Sequence, residues 1–347
     1  MRPESIRRGI LVTSIGSMSG VSVLSALRAC SDARIVGSDI HPRNWVAAST
    51  MVDDFVALPP GQAADDYADA LLGVCLREQI GLVMPLTDPE VDVLAAHKAR
   101  FANHGVTICT SDADAIALAR DKLALHARFS GDPRVAAIPS FPLCQVADLP
   151  AFPLLVKPRR GRSSQGQRIL HDAEDLASAH RHLDPDDYLL QPYRPGAVFV
   201  ADVVRERVSG AGQCLCREEL LRTANGAGTT VRVAVAPDLE AQALHVAATL
   251  DLHGCTNIEF LRLDNRYLLM DVNPRFSAGV GFSVLAGYDM PAAHLACFTG
   301  SPLPPMPQMT QARVFTRSAH IVELSAERMP VSSSVHALSR ASSHATD

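Results

Sequence analysis

At 347 residues, 47% hydrophobic and 20% charged, the chain has room for two or three domains of ~100–200 residues and the composition of an ordinary folded protein. Collagen-like, coiled-coil and disordered descriptions of the whole chain are excluded. Lys and Arg total 32 against 37 Asp and Glu, a net charge of −5 that supplies no field to gather a polyanion, so nucleic acid is not an expected partner.

The eight cysteines are scattered, and only Cys214 and Cys216 lie close together. With no second Cys or His pair at zinc-site spacing, these two read as alternate residues of a strand, and the thiols as free in a reducing compartment. Arg2, Arg7 and Arg8 imitate the basic start of a secretion signal. The apolar run at 10–15 is interrupted at once by Gly16, Ser17, Ser19 and Gly20, a turn rather than a signal core. No stretch approaches ~18–20 uninterrupted apolar residues, so no membrane contact is expected and the cytoplasm is the expected location.

From residue 10 to about 110, short β-rich runs alternate with Ala/Leu-rich helical stretches, beginning ILVTSI, VSVLSALRAC, RIVGSDI. Strand and helix in alternation imply a parallel sheet with helices on both faces. The turn 16–20 followed by a helix and by Asp39 looks like a dinucleotide fingerprint but lacks the Gly-x-Gly-x-x-Gly spacing, so it reads as a tight turn. An amphipathic helix is expected over 115–129, with Ser111 or Asp112 as its N-cap. Residues 152–193 then give a strand (PLLVKP), a Gly/Ser/Arg loop, a strand (QRIL), a helix and a strand (DYLLQPY). After Gly196 come alternating antiparallel-type strands, a helix over 239–250, and the strands NIEFLRL and RYLLMDVN joined by a short polar turn at 264–266. Four prolines crowd 302–307, and from about 331 the Ser/Ala/His-rich tail is expected to be disordered.

Two features carry chemistry. Lys157 closes a strand and is followed by a loop with Gly161, Ser163, Ser164 and Gly166, whose backbone can approach phosphates closely while the lysine supplies a point charge. About 100 residues later, Glu259, Asp271 and Asn273 present hard oxygen donors from neighbouring strands. Residues 271 and 273 share a strand face, as Mg²⁺ bridging phosphates requires. Arg275 follows and can neutralise a transferred phosphoryl group.

In this order, Asp121-Lys122, Val156-Lys157-Pro158 with its loop, the 190–196 stretch, Asp202, 257–259 and Asp271-Val272-Asn273-Pro274-Arg275 resemble the ATP-grasp superfamily over about residues 10–302. The resemblance implies an α/β chain, α+β in its ATP-binding part, in which an N-terminal Rossmann-like pre-ATP-grasp domain (1–110) precedes a linking helix and lid (111–193), a catalytic subdomain (194–310) and a C-terminal extension (311–347). It implies ATP and Mg²⁺ as cofactors, with Mn²⁺ as a substitute. Lys122 and Lys157 match the phosphate-contacting lysines, Ser163, Ser164 and Gly166 the mobile loop, and Gln191, Pro192 and Tyr193 the connector that reads adenine. Glu259, Asp271 and Asn273 match the metal ligands and Arg275 the phosphate-stabilising arginine. Ala197 and Val198 stand where an acidic ribose ligand is usual, so Asp202 is assigned that contact, and Asp271 replaces the commoner Glu.

The activity implied is phosphorylation of a small-molecule carboxylate to an acyl phosphate, which an amine then attacks to give an amide, with amino-acid substrates favoured. Arg222, Arg232, Ser277 and Gly279 are the expected substrate-side residues. Single-chain ligases related to the carbamoyl-phosphate synthase large subunit look closest in motif flavour, ahead of purine-pathway and biotin-carboxylase members. A homodimer is a further implication. Two other readings stay open, a non-catalytic ATP-binding protein of the same fold and an NAD-binding dehydrogenase-type protein.

Overall fold

A computed structural model describes residues 8–61, 63–145, 149–162 and 164–324, so Ser163 and the tail from about 331 lie outside the described residues. The first unit runs β1 (Ile10–Val12), α1 (Gly20–Cys30), β2 (Ile35–Asp39), β3 (Asp54–Ala57), α2 (Ala64–Arg77), β4 (Leu82–Met84), α3 (Asp88–Ala102) and β5 (Thr107–Ile108). Its five strands are all parallel, in the order β3-β2-β1-β4-β5. Strand parity explains the uninterrupted apolar runs. Ile10, Val12, Leu82 and Met84 pack under Val23, Leu24 and Leu27 of α1, while Leu11 and Val83 face Tyr67, Leu71, Leu94 and Phe101 of α2 and α3.

The turn before α1 is set by backbone contact. A Cβ on Gly20 would overlap the Ile15 carbonyl oxygen. Asp39 accepts the Gly16 N–H at 2.8 Å and the His41 N–H at 3.2 Å, so the carboxylate that a dinucleotide ribose would need holds the loop instead.

The helix expected over 115–129 is two helices, α4 (Ala113–Arg120) and α5 (Lys122–Phe129). Asp121 takes an extended conformation between them and caps α5, accepting from the N–H groups of Leu123 and Ala124. Asp112 stands before α4 without a side-chain cap bond, because it pairs with Lys98 and Arg207. After β6 (Ala136–Ala137), the lid is built from β7 (Phe141–Pro142), β8 (Leu154–Pro158), β9 (Arg168–Leu170), α6 (Ala173–His182) and β10 (Tyr188–Pro192), with sheet order β7-β10-β8-β9.

The remaining strands are β11 (Ala197–Arg205), β12 (Gly212–Arg222), β13 (Gly228–Val233), β14 (Gly254–Leu263), β15 (Arg266–Asn273) and β16 (Arg313–Thr316). They form, with β6, a seven-stranded sheet in the order β16-β13-β12-β11-β14-β15-β6, antiparallel except for β15 with β6. Helix α7 (Pro237–Thr249) follows β13, and α8 (Val280–Leu285) and α9 (Met290–Thr299) follow β15. The β14–β15 turn uses left-handed Asp264 and Asn265, as a two-residue hairpin with the sheet's twist demands. Cys214 and Cys216 share one buried face of β12, while Leu215 between them faces the other core.

The expected subdivision shifts in two places. Residues 113–137 pack on the large sheet, with Leu125 and Phe129 beside Phe260 and Leu269, so the linking helices belong to the catalytic part rather than to the lid. Strand β16, expected in the C-terminal extension, pairs with β13 at that sheet's edge. One core also spans two units, because Val204, Leu215 and Val233 join Ile10, Val12 and Met84 through Phe282, Met290 and Leu295.

Gly20→Ala forces Cβ against backbone with no flexible neighbour to yield. It is expected to destabilise the protein by about 2 kcal/mol, the middle of the overpacking range, read as a lowered urea midpoint at unchanged slope.

Candidate active site

A cleft of about 630 Å³ collects residues from the lid sheet, from the large sheet and from loops at the ends of the parallel strands. Ile138, Leu155, Leu261 and Met270 give it an apolar wall beside Gln191, Pro192 and Tyr193 at the end of β10. Gln191 is buried and donates through Nε2 to Ser140 at 2.8 Å, so its side chain is committed to the protein.

Lys157 on β8 and Lys122 at the start of α5 are 3% and 5% exposed. The break at Asp121 aims Lys122, because Arg159 and Arg160 of the lid loop clamp the Asp121 carboxylate while the Lys122 N–H donates to the Arg159 carbonyl. Lys122 Nζ lies 3.3 Å from Asp271 and donates to the Gly161 carbonyl at 3.2 Å. Burial, then the Lys122 charge, lowers Lys157 to about 8 despite Asp271 and Glu259. A lysine in that state gains most from an added anion.

Glu259 and Asp271 are cross-strand partners on β14 and β15, as are Asn257 and Asn273 one step along. A bulge at Met270 shifts the ladder just beyond the carboxylate pair. Burial raises the Glu259 pKa, with Asp271 and Glu219 adding repulsion that Arg222 partly offsets. Among the described residues no group of three Asp, Glu, His or Cys could hold a metal ion unaided. The set fits magnesium all the same: two carboxylates and an amide oxygen are what an ion that takes its other ligands from phosphate and water requires.

The loop after Lys157 folds onto Pro158, since a Cβ on Gly161 or on Gly166 would stand 2.8 or 2.9 Å from that ring, and Gly166 has φ +70. Ser164, with φ 54, reaches the turn between β12 and β13, where a Cβ on Gly226 would lie 3.2 Å from its Oγ. On the substrate side, Arg222 holds Glu219 at 2.7 Å and Glu259 at 3.0 Å. Ser277 accepts from Arg217 at 3.2 Å, and Gly279 packs so closely on that guanidinium that a Cβ would come within 2.7 Å. Arg275 lines the cleft with its guanidinium held by Asp88.

Among the described residues, Gly166 belongs to the lid loop but is not on the cleft wall, and two expected site residues stand elsewhere altogether. Asp202 does not line the cleft and cannot serve as the ribose ligand as placed. It is 0% exposed and accepts from Arg217 and Ser283 at 2.6 Å each and from Asn257 at 3.4 Å, an inward-facing charge consumed by the packing of β11, β12 and α8. Arg232 pairs across the ladder with Glu218, its side chain half exposed and away from the cleft. The cleft also holds Asp88, Arg217 and Glu219, which sequence reasoning missed. Asp88 had a signal: Thr87-Asp88-Pro89-Glu90 is a helix start directly after a buried parallel strand, the sheet end where α/β folds bind ligands.

Residues 10–109 match the family profile "PylC-like, N-terminal domain", and residues 184–321 match "ATP-grasp in the biosynthetic pathway with Ter operon". The second match is to an ATP-grasp family. It is 26% identical over 287 residues to the formate-dependent phosphoribosylglycinamide formyltransferase of Synechococcus sp. (strain CC9605), covering 73% of this chain and 70% of that one. The biotin carboxylase domain dimer of Hydrogenobacter thermophilus 2-oxoglutarate carboxylase, solved with MgADP and bicarbonate, superposes with TM-score 0.72 at 15% identity over 88% of this chain and 73% of that one. Rhizobium etli pyruvate carboxylase gives TM-score 0.69 at 18% identity over 85% of this chain, which spans only 28% of its length. Members that motif flavour set further away, of the purine and biotin-carboxylase kinds, are thus among its similar proteins. The chain is an ATP- and magnesium-dependent ligase acting on small molecules. No helix among its described residues is long and apolar enough to cross a membrane.

Two outcomes check these assignments. Affinity for ADP, measured by calorimetry from pH 6.5 to 9.5, is expected to fall as pH rises past about 8, where Lys157 loses its proton; Lys157→Met removes this dependence and weakens binding at least tenfold at pH 7. Asp202→Ala leaves Arg217 buried without its carboxylate. It is expected to destabilise the fold by about 3–5 kcal/mol in urea while changing ADP affinity of the folded protein less than twofold.

Proposed function

We propose that this protein is a carboxylate–amine ligase that activates a small acid, an amino acid by preference, as its acyl phosphate and joins it to an amine. The observation that carries the reading is the convergence of Lys122, Lys157, Glu259, Asp271 and Arg275 in one cleft. Two cations lie where phosphates dock, two carboxylates where their counter-ion docks, and a guanidinium beyond them.

Bound magnesium would be held by Glu259, Asp271 and Asn273 and would offset the charge of the phosphate oxygens. The protein's own residues do the rest. Lys122 and Lys157 neutralise the phosphates, and Gly161, Ser164 and Gln165 of the lid loop exclude water from them. An oxygen of the substrate carboxylate attacks the terminal phosphorus while the bond to the bridging oxygen breaks and ADP leaves with its electron pair. Arg275 and Arg222, which both line the cleft, stabilise the charge spread over the transferring group. The amine nitrogen then attacks the acyl carbon, phosphate departs with the C–O electron pair, and the nitrogen gives up a proton. Nothing in this sequence requires a covalent enzyme intermediate, which agrees with a cleft lining that, among the described residues, contains no histidine or cysteine.

A homodimer is the expected assembly, by analogy with the dimeric biotin carboxylase domain. The cytoplasm is the expected compartment, in keeping with eight unpaired cysteines.

The test is magnesium-dependent ADP release from ATP, with and without pooled amino acids and other small carboxylates. Turnover is expected only with particular pools, and Asp271→Ala is expected to reduce it at least a hundredfold. ATP binding without turnover in any pool would replace the ligase with a binding protein of the same fold.

A further inference from the structure

We infer that Asp88, at the start of α3 in the N-terminal unit, is a positioning residue that fixes the guanidinium of Arg275 for phosphoryl transfer. The inference rests on the ligase reading above.

Asp88 meets Arg275 in a two-toothed pair, Nε to Oδ1 at 2.6 Å and Nη2 to Oδ2 at 3.1 Å. A fork of this kind fixes the guanidinium plane as well as its position. Arg275 Nη1 also donates to the Phe276 carbonyl at 3.0 Å, and Nη2 lies 3.5 Å from Asn273 Oδ1. Of five N–H groups, these contacts leave one Nη1 hydrogen without a protein acceptor. Arg275 and Asp88 both line the cleft, so the anchored edge and the free hydrogen belong to the same wall.

A single carboxylate would also cancel the arginine's field. Arg120 at the end of α4 weakens that objection, lying 2.9 Å from Asp88 Oδ1, so the buried carboxylate is shared by two guanidinium groups. Arg120 is in turn held at 2.6 Å by Asp92, one turn along α3 and half exposed. Asp88 itself is 6% exposed, and the pair is well shielded from salt. The three groups come from the N-terminal unit, the linking helices and the catalytic sheet, so docking of the first unit is what completes the arginine's setting.

The test compares wild type, Asp88→Asn, Asp88→Glu, Arg275→Lys and the Asp88→Asn/Arg275→Lys double variant. Their ADP release is measured with the acid pool that supports wild-type turnover, and their affinity for MgADP by calorimetry. Asp88→Asn is expected to lower kcat at least tenfold with MgADP affinity within twofold of wild type. Asp88→Glu is expected to recover most of the rate, and Asp88→Asn to lower the rate of Arg275→Lys less than twofold. Undiminished turnover in Asp88→Asn, a parallel loss of MgADP affinity, or losses that multiply in the double variant would each overturn the inference while leaving the ligase reading intact. A wild-type protein that binds MgADP but turns over no pool would overturn both, since there would be no transfer for Arg275 to serve.

Discussion

Lys122 and Lys157 are almost wholly removed from water and stand close enough to depress one of them, with Asp271 and Glu259 as their nearest counter-charges. Buried ions of one sign are tolerable only when ions of the other sign are held rigidly nearby. That constraint organises the ATP-binding half of the molecule. It requires β8 of the lid to face β14 and β15 of the large sheet, and it places α5 between them with a helix break at its start. Asp121 provides the break and is itself clamped by Arg159 and Arg160. The same few residues therefore join the lid to the linker and aim the lysine.

The N-terminal unit is bound to this arrangement twice over. Apolar side chains from β1 and β4 continue into the core beneath β11, β12 and β13, with α8 and α9 as the filling. Arg317, just beyond β16, adds a polar tie by donating to the carbonyls of Met18 and Ala278, one from each side of the cleft. Non-directional burial brings the two surfaces together, and directed hydrogen bonds set their register. Loops at the ends of parallel strands thereby acquire a fixed place opposite the catalytic sheet.

How much of this was legible in the sequence depended on the reach of the interactions. The five-stranded parallel sheet followed from alternation within windows of about a dozen residues, and the lid elements appear where their patterns put them. That Glu259 and Asp271 lie at one end of neighbouring strands was readable, but their direct pairing comes from the bulge at Met270, since the two-residue turn alone would set Glu259 opposite Met270. Asp202 shows where such reasoning stops. Its position on a strand after the connector was readable, but its exposure was decided by Arg217 on β12 and Ser283 on α8, 15 and 81 residues away. Arg232 failed for a similar reason, being drawn to Glu218 by a ladder register that a bulged hairpin sets. The split at Asp121 was hidden by a continuous apolar periodicity. Only the lid arginines that compete for its carboxylate explain the extended backbone there.

The ion pairs of the cleft fall into two kinds, and the difference suits them to a site that must fill and empty. Arg217 with Asp202 and Arg275 with Asp88 join cations to carboxylates that no ligand needs. Lys122 with Asp271 and Arg222 with Glu259 join cations to the very carboxylates suited to magnesium. On the proposed assignment, a magnesium nucleotide would let Asp271 and Glu259 exchange a protein cation for the metal and Lys122 exchange a carboxylate for phosphate oxygens. Arg222 also holds Glu219 at 2.7 Å, a carboxylate outside the proposed metal set. In such an exchange no charge would be stranded, so filling the cleft would not incur the several kcal/mol that an unpaired buried ion carries. The fixed pairs meanwhile preserve the geometry while the exchangeable ones change partners, and that division of labour follows from which acidic side chains lie at the ends of β14 and β15.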